Sequence, residues 1–403
     1  MFSPRSRGAY LFAVIGWLGI PIIITSCRPG SQDLPMSAAR ECNDIGILLP
    51  ATGQESGRWE EKDYPKMERE IIDSIPEVTI RHFNANSNSV KQLEQAKLAL
   101  AQGSCILVVV PVDSTEASKI VDAAEEKGVP VIAYDRFIEN NNLSFYITFD
   151  SEEVGAAQAE YAIAEIKKGT AGQYQLGNEV NLVLINGDPK DGNTERIERG
   201  WLTTLEKEIN TDKELQINFV FPRIDETKGT AEGDRILEFI PEDSEQYFMN
   251  RWSGDEAAKT VQELLNQNQN IQVILVANDG MAHSIIPKIG KDKQGKILIT
   301  GQDGSFLTAV YIVQGYQAMT LYKPIDDIAN ETVRVIRALR NGYSLDSIAN
   351  SETPNNDVAI QSLLLDPIPV TIDTLEQTLI KDGLFTLETL CQTVTSDPNG
   401  FCP

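Results

Sequence analysis

Short strand-like runs alternate with helix-spaced apolar residues along almost the whole chain, and that alternation leaves few folds open. Ile45–Pro50, Val78–Phe83, Ile106–Val110 and Val129–Tyr134 read as strands, three of them nearly free of polar residues, as strands buried on both faces of a parallel sheet are. Between them stand helical patterns: Met67, Ile71, Ile72 and Ile75 after Arg58, then Val90, Leu93, Ala96 and Leu100 in a helix from Ser89, then Glu116–Lys127. Parallel strands need crossover connections, and helices in those connections cover the sheet. The pattern then restarts. Helices are predicted over Glu153–Ile166, Thr194–Ile209, Gly254–Asn268 and Met281–Ile289, with strands at Val180–Ile185, Leu215–Phe221, Ile271–Val276 and Lys296–Thr300. One core does not grow large enough to bury so many strands, so the fold class is α/β with two similar doubly wound parallel-sheet lobes. Between the second lobe's strands, residues Arg223 to Gln246 form an acidic, irregular insertion. Toward the end, Met319–Tyr322 reads as a strand, Pro324–Asn341 as a helix with proline in its first turn, Ser362–Val370 as extended chain, and Asp373–Asp382 as a short helix.

Charge narrows the partners. Fifty-nine acids against 35 bases give a formal net charge of −24, which disfavours nucleic acid, whose binding depends on neutralising phosphates with Lys and Arg. It also disfavours adsorption to anionic lipid. The two histidines, His82 and His283, lie far apart and away from any cysteine, so no metal site and no cofactor are expected, and a histidine-based catalytic relay is disfavoured.

The first 27 residues have the make-up of an export signal. Arg5 and Arg7 precede an apolar run from Gly8 to Ile24, which ends in Ile24-Thr25-Ser26-Cys27. That ending resembles a bacterial lipobox, with Cys27 as the lipid-modified first residue of the mature protein. The competing reading is an uncleaved anchor, against which stand the shortness of the run and its interruption by Pro21. Residues 28–41 read as a tether. A body outside the cytoplasm permits disulfides, and four cysteines remain. Cys42 precedes the first strand and Cys105 the third, which puts both thiols at one end of the sheet if those strands are parallel neighbours, while Cys391 and Cys402 bracket a Pro-Gly tail. The expected bridges are 42–105 and 391–402, with buried free thiols as the alternative.

Ligands of open α/β sheets bind beyond the carboxyl ends of the strands, and several strands here end in polar residues. Tyr134 is followed by Asp135 and Arg136, and Val276-Ala by Asn278-Asp279. Thr300-Gly-Gln leads to Asp303, Leu321-Tyr to Lys323, and Ile185 to a turn holding Asp191 and Asn193. Taken singly, each is more often a helix cap or turn, because Asn, Asp and Gly favour those positions for local reasons. Five such ends are harder to assign to capping. Carboxylates, amides and guanidinium groups can each bond neighbouring hydroxyls, and tryptophan offers a flat surface to the C–H face of a sugar. Trp59 follows Arg58 after the first strand, and Trp252 follows Arg251 before a helix. Nucleotide motifs fail: Gly290–Lys296 has phosphate-loop spacing, but Ile297 stands where Ser or Thr would hold magnesium, and no strand leads into Gly-x-Gly-x-x-Gly.

Several segments together carry a resemblance: Arg58-Trp59, Ala133-Tyr-Asp-Arg136, Phe145-Tyr-Ile-Thr-Phe-Asp150 with Val154-Gly155 and Gln158-Ala159, Gly301-Gln-Asp303, Met319-Thr-Leu-Tyr-Lys-Pro324, and Ile380-Lys-Asp-Gly383. From about Ile45 to Leu390 the chain resembles the periplasmic sugar-binding proteins of ABC transporters, ribose/galactose-type group, and most nearly the D-xylose-binding proteins. The resemblance implies two lobes joined by a three-strand hinge, the type I periplasmic binding protein fold, closing over one monosaccharide. Lobe one would be 42–149 plus 323–361, and lobe two 150–322 plus 362–403. The implied ligand residues are Arg58, Trp59, Asp135 and Arg136 from the first lobe and Asp191, Asn193, Trp252, Asn278 and Asp303 from the second, with Lys323 at the hinge and the two tryptophans on opposite faces of the sugar. Gly192 stands where the family often has an amide.

The expectation is therefore a monomeric, lipid-anchored, extracytoplasmic protein. It would capture xylose or a related aldose and deliver it to an ABC permease in the membrane, with no chemistry on the sugar. The principal rival is a binding protein that reports the sugar to a membrane receptor or histidine kinase. An enzyme on the same frame lacks a nucleophile–base constellation, and a transcription factor would need a basic DNA-binding segment.

Overall fold

The computed structural model describes residues 38–51, 58–220, 252–267, 270–356 and 358–403, with the backbone alone at 228–230. The expected signal segment, Cys27, most of the tether, and the acidic insertion except 228–230 lie outside them.

Seven strands make the first sheet: β1 (Asp44–Leu49), β2 (Thr79–Asn84), β3 (Ile106–Val109), β4 (Val131–Tyr134), β5 (Phe145–Phe149), β13 (Ser351–Asn355) and β14 (Val358–Leu365). Their order is β13-β14-β5-β4-β3-β1-β2, parallel except for β13 at the edge. Alternate residues of β1 serve opposite faces, as a period of two requires. Ile45, Ile47 and Leu49 pack with Met67 and Ile71 of α1 (Tyr64–Ser74) and Ile328 and Ile336 of α9 (Ile325–Asn341). Leu48 packs on the other side with Ala96 and Ala99 of α2 (Ser89–Ala101) and Ile120 and Val121 of α3 (Ser118–Glu125).

The second sheet holds β6 (Glu179–Ile185), β7 (Gln216–Val220), β8 (Lys228–Thr230), β9 (Val273–Val276) and β10 (Leu298–Ile299), in the order β10-β9-β6-β7-β8. Its helices include α4 (Ser151–Lys168), α5 (Gly192–Thr211), α6 (Gly254–Asn266) and α7 (Asp279–Ile285). Helices α4 and α5 cross at two glycines. A Cβ on Gly155 would sit 2.0 Å from the Ile197 carbonyl oxygen, and one on Gly200 2.1 Å from that of Glu152, so only glycine allows the approach. Gln158, on α4, has a buried amide that donates to the Gly301 carbonyl at 2.8 Å and accepts from Trp201 Nε1 at 2.7 Å.

A third, small sheet joins β11 (Gln302–Asp303), β12 (Thr320–Tyr322) and β15 (Ile368–Val370). The chain passes between the lobes three times: from β5 into α4, from β12 into α9, and from β14 into β15.

Several expectations change. Phe145–Phe149, which no predicted strand covered, is an interior strand of the first sheet. Ser362–Leu365, expected in the second lobe, pair with Tyr146–Phe149 in the first-lobe sheet, so the third crossing falls at Asp366-Pro367. In place of a helix over Asp373–Asp382 there is one π-helical turn, Glu376–Ile380. Three elements had no clear signal. Strand β13 contains Pro354, tolerable at an edge. Helix α8 (Phe306–Val313) is apolar nearly all round because it is buried, so it lacks amphipathic periodicity. Helix α10 (Leu387–Thr393) is only seven residues long. Cys42 is joined to Cys105 and Cys391 to Cys402 by disulfides, with Cα–Cα separations of 5.7 and 5.6 Å. Among the described residues no helix is long and apolar enough to cross a membrane, and no cluster of three metal-ligating side chains occurs.

Candidate functional site

A cavity of about 360 Å³ lies where the carboxyl ends of the two sheets face one another, and all ten residues singled out in the sequence line it. What each of them does there differs.

The first-lobe wall starts at β4. Beyond Tyr134 the chain turns sharply at Asp135, whose φ of +62° is left-handed, a conformation Asp adopts more readily than most residues. The turn is held by its main chain. The Asp135 N–H donates to the Ile147 carbonyl at 2.8 Å, and the Asp135 carbonyl accepts from Thr148 Oγ1 at 2.8 Å and Asn193 Nδ2 at 2.9 Å. That leaves the side chain at the mouth of the strand. Its carboxylate accepts from Arg58 Nη2 at 3.1 Å.

Arg58 is itself fixed. A π-helical turn, Trp59–Asp63, brings Asp63 beneath it, and Asp63 accepts from Arg58 Nε at 3.0 Å and Nη2 at 3.1 Å and from Tyr134 Oη at 2.7 Å. Burial opposes the charge on Asp135. Arg58, Lys323 and Arg136 outweigh it, and its pKa falls below the usual carboxylate range. Burial likewise opposes the Arg58 charge, but Asp135, Asp63 and Asp303 hold that guanidinium well above its ordinary value. Trp59 is buried, with the Arg58 guanidinium 4.6 Å and the Arg136 guanidinium 5.7 Å from its ring centre, close enough for cation–π attraction.

On the second-lobe side, Asp191 caps α5 by accepting from the Asn193 N–H at 3.0 Å. It also accepts from Arg136 Nε at 2.8 Å, an ion pair across the cleft, and from Trp252 Nε1 at 3.3 Å. The Trp252 ring lies against Gly187, where a Cβ would come within 2.4 Å of it. Asn278 caps α7 through Met281 N and also lines the cavity. Next to it, Asp279 is buried and accepts from Gln317, Thr320 and the Gly304 N–H at 2.8, 2.9 and 2.9 Å. Burial pushes its carboxyl up to about 6. The bond to Gly304 steadies a turn in which Asp303 and Gly304 have φ of +107° and +74°, aiming Asp303 into the cavity. Among the described residues the Asp303 carboxylate forms one ion pair, with Arg58 Nη1 at 3.9 Å, and makes no side-chain hydrogen bond. Burial raises its pKa against the pull of Lys323 and Arg58. Lys323, between β12 and α9, is buried and makes no side-chain hydrogen bond among the described residues.

Apart from the two tryptophans, the ten residues thus fall into two groups. Asp191, Asn193, Arg58 and Arg136 are largely committed to other protein groups, whereas Asp303, Lys323 and part of Asn278 and Asp135 remain open to the cavity. The sequence reading gave no site role to Asp63, Gln302 or His283, and noted Asp279 only as part of a polar strand end. Asp63 stands five residues beyond Arg58, a spacing that α-helical periodicity puts on another face and only a π turn brings back. Asp279 adjoins a residue that was singled out, but nothing local marked it as buried.

Comparison with known proteins places these features in a family. Residues 45–344 match the periplasmic binding protein domain. A D-xylose-binding periplasmic protein of Haemophilus influenzae is 28% identical over 359 residues, 88% of this chain and 94% of that protein. Its counterpart of the same name in Escherichia coli is 29% identical over 302 residues, 74% and 79% of the two chains. The fold matches the solute-binding protein of a carbohydrate transporter from Chloroflexus aurantiacus, solved with D-glucose, at a TM-score of 0.70 and 24% identity over 85% of this chain and 96% of that one. Two α/β lobes with three crossings, strand ends converging on one cavity, and a family match over three-quarters of the sequence lead to one conclusion: this chain belongs to the periplasmic binding protein family.

Proposed function

We propose that this chain is an extracytoplasmic solute-binding lipoprotein that captures a monosaccharide, D-xylose foremost, and hands it to an ABC importer. The observation that carries the reading is the composition of the cavity. Carboxylates of Asp135 and Asp303, the Lys323 ammonium and the Asn278 amide face a space flanked by Trp59 and Trp252. Its volume falls within the range of about 300–1,000 Å³ typical of small-molecule sites. Acceptors and donors in near balance suit a neutral polyol, each hydroxyl of which both donates and accepts. The names of the Haemophilus and Escherichia relatives support xylose. The Arg5–Cys27 pattern supports export and lipid anchoring at Cys27, and the protein works as a monomer.

Sugar contacting both lobes binds the closed form better than the open one, and that differential affinity drives closure. The closed form then presents the permease with a surface the open form lacks. A thermal-shift screen across pentoses and hexoses tests the reading, since only a ligand that prefers the folded state raises the midpoint, by about 2.7 kcal/mol of stabilisation at 100 times Kd. Xylose is expected to give the largest rise. No rise with any aldose would refute sugar capture, and a larger rise with a hexose would refute the preference for xylose.

A further inference from the structure

We propose that Asn193 acts as the closure latch of the cleft, a positioning residue that ties the second lobe to the main chain of Asp135, and not as a sugar ligand. The inference rests on the sugar-binding reading only for what the latch serves; the latch itself is a matter of protein–protein bonds.

Asn193 is 4% exposed, and most of its amide is already spent. Oδ1 accepts from Tyr146 Oη at 3.1 Å and Ser151 Oγ at 3.0 Å, and Nδ2 donates to the Asp135 carbonyl at 2.9 Å. An amide offers two acceptor sites and two donors, so one N–H is left for anything else. These partners divide between the lobes. Tyr146 lies on β5 and Asp135 follows β4, both in the first lobe, whereas Ser151 opens α4 in the second. Separating the lobes breaks the bonds to Tyr146 and Asp135 and keeps the one to Ser151.

The bond to Asp135 lands where it matters. It is made to the carbonyl of a residue held at φ +62°, so it bears directly on the turn that aims the Asp135 carboxylate. The rest of the contact lies beside it. Lys190 O accepts from the Ser114 N–H at 3.0 Å, Gly192 N–H donates to Ser114 Oγ at 3.3 Å, and Arg136 pairs with Asp191 at 2.8 Å. The start of α5 therefore docks as a unit on the strand ends of the first lobe, and Asn193 is the member whose side chain bonds the main chain of Asp135. A latch of this kind acts on every sugar alike. If only the closed form binds tightly, apparent affinity scales with the fraction of molecules able to close, whichever aldose is present.

The test uses the full chain carrying spin labels at Lys127 and Lys213, exposed positions in the two lobes, with interlobe distances measured without sugar. Affinities for xylose, arabinose, glucose and galactose are measured alongside. Asn193→Ala is expected to shift the sugar-free distances to longer values and to lower all measurable affinities by a common factor of about ten, the size of one or two lost hydrogen bonds. Asn193→Asp, which sets a carboxylate against the Asp135 carbonyl, is expected to open the cleft further. Tyr146→Phe, which removes one first-lobe partner and keeps the ring, gives a smaller shift in the same direction and decides the matter if the Asn193 variants do not fold. Unchanged sugar-free distances overturn the proposal, and so does a changed ranking of the sugars, which a direct ligand would produce. If the wild type binds none of the four, sugar capture fails, while the sugar-free distances still decide the latch.

Discussion

The two walls of the cleft are built differently. On the first-lobe wall Arg58, Asp63, Tyr134 and Asp135 form a chain of side-chain bonds of 2.7–3.1 Å in which each member is held by the next. On the opposite wall and at the hinge, Asp303 and Lys323 reach the same cavity with no side-chain hydrogen bond among the described residues. A group whose partners are already in place can bind a ligand without being ordered first, so the first wall sets orientation at little entropic cost. A free carboxylate or ammonium must take its partner from the ligand, and loses most when a hydroxyl is missing or misplaced. The Arg58–Asp63–Tyr134–Asp135 chain should therefore govern how tightly any sugar is held, and the unpartnered Asp303 and Lys323 which sugar.

The sharpest way to break that distinction is at Asp63, which does not itself line the cavity. Asp63→Ala removes the acceptor of two Arg58 bonds and of the Tyr134 hydroxyl. Breaking a buried ion pair on one side costs about 3–5 kcal/mol, and part of that loss should appear in binding because Arg58 is no longer aimed at Asp135. Denaturant unfolding should show the stability loss, and calorimetric titration a fall in affinity of about 100-fold, equal across aldoses. An affinity within about threefold of wild type would mean that the first wall is not organised through Asp63.

How much of this could be seen in the sequence follows the same division. The strand ends were legible because buried parallel strands read as apolar runs, and the first polar residue after each run marks the cavity: Asp135 after Tyr134, Asn278 after Ala277, Lys323 after Tyr322. What could not be read was the wiring behind them. Asp63 depends on a π turn, and a pattern reading assumes α spacing. Asp279 depends on Gly304, Gln317 and Thr320, 25 to 41 residues away. Ser362–Leu365 were given to the wrong lobe because an apolar run interrupted by Pro367 and Pro369 does not show where the sheet ends and the crossing begins. Period and polarity are local properties, while partnership is set by the fold.

Asp303→Asn probes the second wall with less effect on strength. The amide keeps the shape of the carboxylate but replaces one acceptor by a donor, so hydroxyls that donate to Asp303 lose their partner and those that accept gain one. The expected change is about 1–3 kcal/mol, unequal between xylose and its competitors, and visible as a reordered affinity series with the unfolding midpoint little altered. A uniform loss across sugars would place Asp303 with the orienting groups and erase the difference between the walls.

The smallest effect concerns pH, where two groups of the second lobe, buried Asp279 and half-buried His283, oppose one another. Burial raises Asp279 to about 6, above an ordinary carboxylate near 3.9. The folded state therefore keeps this proton where the unfolded chain has lost it, and the stability it contributes declines as pH rises from about 4 to 6. Burial lowers His283 to about 4, with Asp303 pulling weakly the other way, from an ordinary value near 6.5. Here the unfolded chain holds the extra proton, so the stability His283 contributes grows with pH over nearly the same interval. The two slopes, each about 1.4 kcal/mol per pH unit at most, largely cancel, and the wild-type midpoint should be nearly flat between pH 4.5 and 6. Asp279→Asn leaves the histidine slope, so its midpoint should rise with pH. His283→Gln leaves the carboxyl slope, so its midpoint should fall. Asp135, held below the usual range by Arg58, Lys323 and Arg136 against burial, destabilises only as pH drops below about 4, outside that window. Calorimetric midpoints of the three proteins at pH 4.5 and 6 decide it. Parallel profiles for both variants would show that the second wall is as insensitive to protons in this range as the first.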